Sequence, residues 1–402
     1  MNYEDILDTS WLRLEGDFDS QVQEVLRYVR LTADRVYNLK HLFDDIEEAL
    51  RHLAPGCQIM PFGSVVTGLG IKTSDADVYV ALPEGHHPTV NHVVQARNML
   101  HRYHRKFTQL FAITKAKVPI VKFFHIPTQF HCDVNFKSPA GVYNSKLVAF
   151  LLHMDERALP LAILIKYWSK VHTFTGTNLL GNYALTMMVI FYLQLMNILP
   201  SVCDLQRHMP PYYVDGWNTA FDDTMQSTTR NTDSLYELMG GFFKCYSVFN
   251  FKDDIISPFF GRVISKRCMD NFDFPEEFSL YKDHVARDVR KKFKTTSKIC
   301  IQDPFEHSRN CSVAVSDRLA ERIFAHIQFV TNKFELNSSD RFLRAILTQD
   351  PNSAHASAAT APNKHIFNNK IKKQNRKKQK REIQHGVNKM FTQYQNLKKG
   401  KR

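Results

Sequence analysis

The stretch that most constrains this chain is Pro61 to Val80, PFGSVVTGLGIKTSDADVYV: a turn-forming Phe62-Gly63-Ser64, a spacer of ten residues, then Asp75-Ala76-Asp77 in an apolar run. In a strand, residues two apart point to the same face, so Asp75 and Asp77 are expected side by side. Carboxylates so placed repel each other unless a cation lies between them, and hard oxygen donors suit Mg²⁺ or Mn²⁺. Gly63 lets the backbone approach a ligand closely, and the amide and hydroxyl of Ser64 can hold a phosphate. A lone Asp-x-Asp is most often a solvated strand face; the Gly-Ser at this distance is what points to a metal-bound nucleoside triphosphate.

Further along, Lys117-Val-Pro-Ile-Val-Lys-Phe-Phe and Phe130-His-Cys-Asp-Val-Asn-Phe136 read as two strands around an Ile126-Pro-Thr-Gln turn. Asp133 then lies among apolar neighbours, where a charge is costly unless paired or liganded. With this third carboxylate, the region resembles the DNA polymerase beta-like nucleotidyltransferase superfamily. Its signature is a Gly-Ser turn, a spacer of about ten residues, Asp-x-Asp, and a later acidic residue.

A chain of 402 residues with 44% hydrophobic residues can bury a sizeable core, and two domains plus a tail are expected. Seven cysteines lie scattered without a Cys-x-x-Cys pair, which argues against a zinc site or disulfide framework and fits a reducing compartment. No secretory leader opens the chain, and no uncharged run approaches the roughly 18 residues of a membrane span. Residues 363–402 hold fourteen Lys/Arg and one Glu, the whole of the +13 net charge, while residues 1–362 balance.

Spacings of three and four predict helices over 19–53, with Val22, Val25, Leu26 and Val29, then Leu39, Leu42, Ile46 and Leu50 on the apolar side. Val90 to Phe111 also reads as helix, and its histidines 92, 101 and 104 as a wet face rather than a metal site. From Tyr143 the pattern is helical, with a long apolar helix from Tyr183 to Leu199 ended by Pro200. Residues 201–232 read as a polar surface loop, Ser234 to Tyr246 as helix, Cys300 to Glu306 as a short strand and turn, and about Val315 to Phe334 as a closing helix. Beyond Gln349, a Ser/Ala/Asn-rich linker and basic tail have too few apolar residues to fold alone.

Over about residues 20–335 the ordered motifs FGSVVTGLGIKTSDADVYV, KVPIVKFF with HCDVNF, NYALTMMVIFYLQ, SLYELMGGFF and CIQDPFEHSRN resemble the noncanonical terminal RNA nucleotidyltransferases. That group contains terminal uridylyltransferases and cytoplasmic-type poly(A) polymerases. HIPTQFHCDV and CIQDPFE are most similar to the uridylyltransferases of the spliceosomal small-nuclear-RNA kind, also called speckle-targeted poly(A) polymerases. The resemblance implies an α+β fold, a polymerase beta-like mixed sheet with flanking helices plus a mainly helical domain of the poly(A)-polymerase type. The expected parts are 1–54, N-terminal helices packing on the core; 55–140, the nucleotidyltransferase palm; 141–340, the helical domain with a poly(A)-polymerase-associated region at about 234–310; and 341–402, a disordered linker and basic tail.

The resemblance also implies roles. Gly63 and Ser64 would contact the triphosphate, and Asp75, Asp77 and Asp133 would hold two Mg²⁺ or Mn²⁺ ions. Asn144, with Ser145 beside it, would bond the ribose hydroxyls; Lys166 and Lys170, four apart on one helix face, would meet the phosphates. Tyr183, preceded by Asn182, would stack on the base. In the last motif, Asp303 and Glu306 match acidic positions, but Arg309 stands where uridylyltransferases of the family carry a histidine. Arginine only donates hydrogen bonds, so it serves the O4 acceptor of uracil and faces the amine of adenine with another donor, while the ring nitrogens of adenine remain as acceptors.

The expected activity is template-independent addition of UMP from UTP to RNA 3′ ends by a monomer, with a poly(A) polymerase using ATP as the nearest alternative. A small-molecule nucleotidyltransferase and a catalytically inactive RNA-binding protein are further alternatives. The basic tail is expected either to bind RNA or to serve as a nuclear-import signal, placing the protein in the nucleus, the cytoplasm or both.

Overall fold

The computed structural model describes residues 6–350 except Ala54 and Phe272. Helices α1 (Phe18–Val29) and α2 (Ala33–Leu50) lead into strands β1 (Gln58–Phe62) and β2 (Ala76–Ala81). Helix α3 (Val90–His101) precedes β3 (Phe107–Ile113), β4 (Ile120–His125) and β5 (Phe130–Asn135). Helices α4 (Ala140–His153), α5 (Ala158–Val171), α6 (Asn182–Leu195) and α7 (Val202–Gln206) follow, then a hairpin of β6 (Tyr213–Val214) and β7 (Trp217–Asn218). After α8 (Leu235–Val248) come a second hairpin, β8 (Asp254–Ile255) and β9 (Ile264–Ser265), and helices α9 (Lys266–Asn271), α10 (Ser279–Ala286), α11 (Asp317–Leu336) and α12 (Ser339–Thr348). The expected α+β class, a mixed sheet with flanking helices, is what the chain forms.

The chain divides into two compact units. The first, chiefly Leu26–Leu159 and His208–Met225, is built on a five-stranded sheet of order β1-β2-β5-β4-β3. Only β2 and β5 run parallel. Along β2 buried and half-buried residues alternate, so Ala76, Val78 and Val80 face one side and Asp77 and Tyr79 the other. On the buried side these residues, with Val121, Phe123, Cys132 and Val134, pack beneath Leu39, Leu42 and Ile46 of α2 and Val93, Ala96 and Leu100 of α3. The helices thus cover one face and leave the other for chemistry.

The second unit comprises Thr9–Val25, Pro160–Arg207 and residues from 226 onward. Its central helix α6 is apolar on every side, and Ala184 to Gln194 are all buried, as expected of a helix surrounded by others. The residues expected as one N-terminal helical segment, 1–54, therefore contribute to both units.

Three expectations need correction. The helix from Val90 stops at His101; Phe107–Ile113 is instead an edge strand, because it pairs with β4 despite its helical spacing. Residues 201–232 contain α7 and the β6–β7 hairpin, elements too short to show a period. In the segment 341–402, residues through Thr348 belong to α12, whose Phe342, Leu343, Ile346 and Leu347 are buried; 351–402, the linker and basic tail, lie outside the described residues.

A histidine pair lies in the core of the second unit. His326 is 4% exposed, its ring 4.7 Å from that of His172 and 4.8 Å from Phe174. His172 Nε2 donates to the carbonyl of Ile346 in α12 at 2.7 Å. Burial, and next the neighbouring His172, push His326 down to about 4, while burial lowers His172 as well. A base whose folded-state value lies below its unfolded value stabilises the fold fully above about pH 6.5 and less as pH falls toward 4. Denaturant titrations at pH 7 and pH 5 should show a loss of about 1 kcal/mol or more that His326→Gln reduces; an identical pH dependence in that variant contradicts the assignment.

Candidate active site

The site in the first unit is set by strand register. Parallel pairing of β2 with β5 puts Asp77 opposite Asp133, and antiparallel pairing of β4 with β5 puts Lys122 opposite Asp133. Asp75 lies one residue before β2. The Lys122 ammonium stands 3.0 Å from Asp133 Oδ1 and 3.4 Å from Asp75 Oδ2, bridging the two carboxylates. Burial works against its charge, yet the hydrogen bond and charge of Asp133, with the charge of Asp75, hold its pKa above the ordinary lysine value. Burial first, and the charge of Asp75, push Asp133 up against the opposing pull of Lys122. On the opposite face the fully buried thiol of Cys132 is pushed well up by burial and then by Asp77, Asp133 and Asp75 in turn, so all three carboxylates converge on one short length of sheet.

Lys122 was not singled out by the sequence. The alternation of KVPIVKFF puts it on the half-buried face, but only the register of three strands brings it between two aspartates.

The Gly-Ser corner is fixed by its surroundings. Gly63 has φ +80°, and a Cβ there would lie 2.2 Å from Asp77 Oδ2, so neither the conformation nor the space admits a side chain. Its amide donates to Ser145 Oγ at 2.8 Å, and that hydroxyl donates in turn to the carbonyl of Gly141 at 2.7 Å. Ser145 is thus committed to holding the corner. The amides of Val66 and Thr67 both donate to the Gly63 carbonyl, which turns the chain sharply after Ser64. Asn144, 9% exposed, lies beside Ser145 in α4.

The other expected residues lie in the second unit. Lys166 in α5 is 5% exposed, and Lys170, one turn on, is half-buried. Asn182 and Tyr183 open α6, and the Asn182 Oδ1 and Tyr183 hydroxyl are buried with no hydrogen bond of good geometry. Asp303 is 1% exposed: its Oδ1 accepts from the amides of Phe305 and Glu306, both at 3.0 Å, and its Oδ2 lies 3.5 Å from Arg309 Nη1. The Arg309 guanidinium is 5.8 Å from the centre of the Tyr183 ring. Burial disfavours its charge, but Asp303 raises its pKa above the ordinary value. Glu306 is half-buried, so it rather than Asp303 is the more accessible carboxylate of this motif.

The donor types of the first unit, three carboxylates, suit a hard divalent cation, and Lys122 now engages Asp133 Oδ1 and Asp75 Oδ2. Among the described residues no group of three or more His, Cys, Asp or Glu side chains is arranged to hold a metal ion. A cation would therefore enter in competition with Lys122.

Comparison with known proteins covers parts of both units. Residues 18–152 match the family described as poly(A) RNA polymerase, mitochondrial-like, central palm domain, and residues 234–309 match the Cid1 family poly A polymerase domain. Human terminal uridylyltransferase 7 is 27% identical over 303 residues, 71% of this chain and 19% of the relative. The mitochondrial poly(A) RNA polymerase of Drosophila melanogaster is 29% identical over 295 residues, 63% of this chain and 48% of the relative. The mouse speckle targeted PIP5K1A-regulated poly(A) polymerase is 28% identical over 219 residues, 52% and 23% respectively. The chain thus spans less than half the length of each of these relatives. A crystal structure of mtPAP in complex with UTP superimposes with a TM-score of 0.72 at 20% identity, covering 86% of this chain and 75% of that one. The Cid1 poly(U) polymerase bound to MgGTP gives 0.66 at 21% identity, covering 81% and 98%.

Replacing Lys122 tests the competition directly. Because each half-exposed ion pair is worth up to about 1 kcal/mol, Lys122→Gln should bind Mn²⁺ about five- to tenfold more tightly by calorimetry. Weaker Mn²⁺ binding in that variant would show that the lysine does not compete for the carboxylates.

Proposed function

The chain belongs to the noncanonical poly(A)-polymerase-like nucleotidyltransferases, and from that premise we propose that it adds nucleotides without a template to the 3′ end of RNA, with UTP as preferred donor. The observation that carries the proposal is the convergence of Asp75, Asp77 and Asp133 beside a corner at Gly63 too tight for any other residue.

In this reading Asp75, Asp77 and Asp133 hold Mg²⁺ or Mn²⁺, which when bound increases the acidity of the RNA 3′ hydroxyl and neutralises charge on the departing pyrophosphate. The corner at Gly63 and Ser64 presents its backbone to the triphosphate, held in place by Ser145. Asp133, whose carboxyl is raised above its ordinary value by burial, accepts the hydroxyl proton as the 3′ oxygen attacks the α-phosphorus and pyrophosphate leaves. Asn144 bonds the ribose, Lys166 and Lys170 meet the phosphates, and Asn182 and Tyr183 meet the base. Catalysis then rests on positioning and charge neutralisation.

The preference for uracil rests on Arg309 and Glu306. With Asp303 turned inward, Arg309 offers donors to O4 and Glu306 an acceptor for N3–H. A second reading, adenylyl transfer from ATP, is supported by the relatives named poly(A) polymerase. The relative named for nuclear speckles supports a nuclear site of action. Among the described residues no helix is long and apolar enough to cross a membrane.

Incubated with a single-stranded RNA primer and each nucleotide separately, first with Mg²⁺ and then with Mn²⁺, the protein should extend the primer fastest with UTP. Faster extension with ATP would select the second reading. Asp133→Ala should abolish extension, a loss of at least about a thousandfold, while nucleotide binding changes little; extension surviving in that variant would remove Asp133 from the mechanism.

A further inference from the structure

Beside the carboxylates, in the same unit, lies a group of tyrosines with no assigned role. The β6–β7 hairpin is closed by Asp215 and Gly216, both with positive φ, the form a tight Asp-Gly turn requires. Val214 and Trp217 are buried and anchor it, while Tyr212 and Tyr213 remain 55% and 58% exposed. Isolated exposed aromatic residues are ordinary. Here two of the rings are in contact and held, with Tyr213 next in the chain: the Tyr143 hydroxyl of α4 donates to that of Tyr212 at 3.0 Å, with ring centres 5.4 Å apart.

The backbone of Tyr212 is fixed as well. Its amide donates to Asn218 Oδ1 at 3.1 Å, and its carbonyl accepts from the Thr219 amide at 2.8 Å and hydroxyl at 3.1 Å. The turn is tied to the sheet through Ser138, whose hydroxyl donates to Asp215 and whose amide donates to Asn135 Oδ1 at the end of β5. The exposed Lys146 ammonium lies 5.2 Å from the Tyr143 ring centre. Rigid rings flanked by a cation, next to a phosphoryl-transfer site, are the elements by which proteins hold single-stranded nucleic acid.

Position selects which substrate these rings would meet. Gly63 is next to Phe62, which pairs with Asp77 near the start of β2. Tyr79 lies on the same face as Asp77 but two residues further along, about 6.6 Å at the strand rise, and pairs with Asn135. Asn135 is in turn tied through Ser138 to Asp215 at the tip of the hairpin. The triphosphate corner and the β6–β7 hairpin thus lie in opposite directions along β2 from Asp77, and an in-line attack on the α-phosphorus brings the acceptor from the side away from the pyrophosphate.

We infer that Tyr143, Tyr212 and Tyr213, with Lys146 at their edge, form the stacking site for the 3′-terminal base of the RNA acceptor. The inference rests on the proposed RNA nucleotidyl transfer and adds the surface that places the acceptor. Stacking needs only a π face, so the site holds any 3′-terminal base and prefers purines for their larger rings.

The test uses the full chain and an RNA primer ending in 2-aminopurine, whose fluorescence falls on stacking. Tyr212→Ala/Tyr213→Ala should raise the KM for RNA about tenfold or more and abolish the quenching, with the KM for UTP unchanged. Tyr212→Phe/Tyr213→Phe should retain both. Tyr213→Ala alone leaves the Tyr143–Tyr212 contact intact, so a rise in its RNA KM at unchanged melting temperature supports stacking rather than a structural role. Wild-type quenching and RNA KM in the double alanine variant overturn the inference while leaving the enzymatic reading intact. A wild-type protein that extends no RNA with any nucleotide overturns that reading, and the inference with it.

Discussion

Mutual repulsion among carboxylates is the constraint on which the first unit depends. The parallel pairing that sets Asp77 against Asp133 would, without a cation, put like charges on adjacent strands where they destabilise pairing. Lys122, delivered by the next strand, offsets this by bridging Asp133 and Asp75. A one-residue slip of β4 would turn Lys122 to the helix-covered face and bring Val121 or Phe123 onto the carboxylates. The apolar core beneath α2 and α3 therefore specifies the charge arrangement as well as the fold: it permits one register, and that register assembles the site. A site organised before its ligand arrives needs less rearrangement during the reaction.

The same economy of movement holds at the corner. Gly63 is squeezed between Asp77 and the α4 residues that hold its amide, so the loop entering the Asp-x-Asp strand is restrained through side chains distant in sequence. Phe62, just before it, packs against Gly141, where a Cβ would come within 2.7 Å of the ring. The bond to Ser145 matters because it holds the Gly63 amide in one orientation. Here the glycine that permits close approach is also the residue most able to wander, and the serine from α4 limits it.

How far the sequence was legible follows from how local each feature is. Gly63, Ser64, Asp75 and Asp77 lie within one short segment, and Asp133 betrays itself as a charge in an apolar strand. The long apolar run at α6 and the capping box of Ser234 and Glu237 at α8 are local signals too. By contrast, the meaning of Lys122 depends on the register of three strands, and β3 carries a helical spacing that sheet pairing overrides. Helix α12 was obscured by the polar linker sequence that follows it, although its buried positions keep a helical period. The 201–232 segment carries one local clue, Asp215-Gly216 between Val214 and Trp217, which is too short to show as a period.

The segment from Asp303 to Arg309 shows why a residue's type alone does not define its role. Asp303 and Glu306 look interchangeable in the sequence, yet the amides of Phe305 and Glu306 occupy one Asp303 oxygen and Arg309 faces the other. A carboxylate so engaged cannot change partners cheaply, since withdrawing it would leave a buried charge beside two unsatisfied amides. It faces Arg309, whose guanidinium lies 5.8 Å from the centre of the Tyr183 ring. In the proposed base contact Arg309 would present donors and the half-buried Glu306 an acceptor, the pairing that uracil's O4 and N3–H complement. Adenine presents donor and acceptor in the reverse order on the corresponding edge, so a site rigid enough to keep Arg309 in place favours uracil more strongly than one that lets it swing.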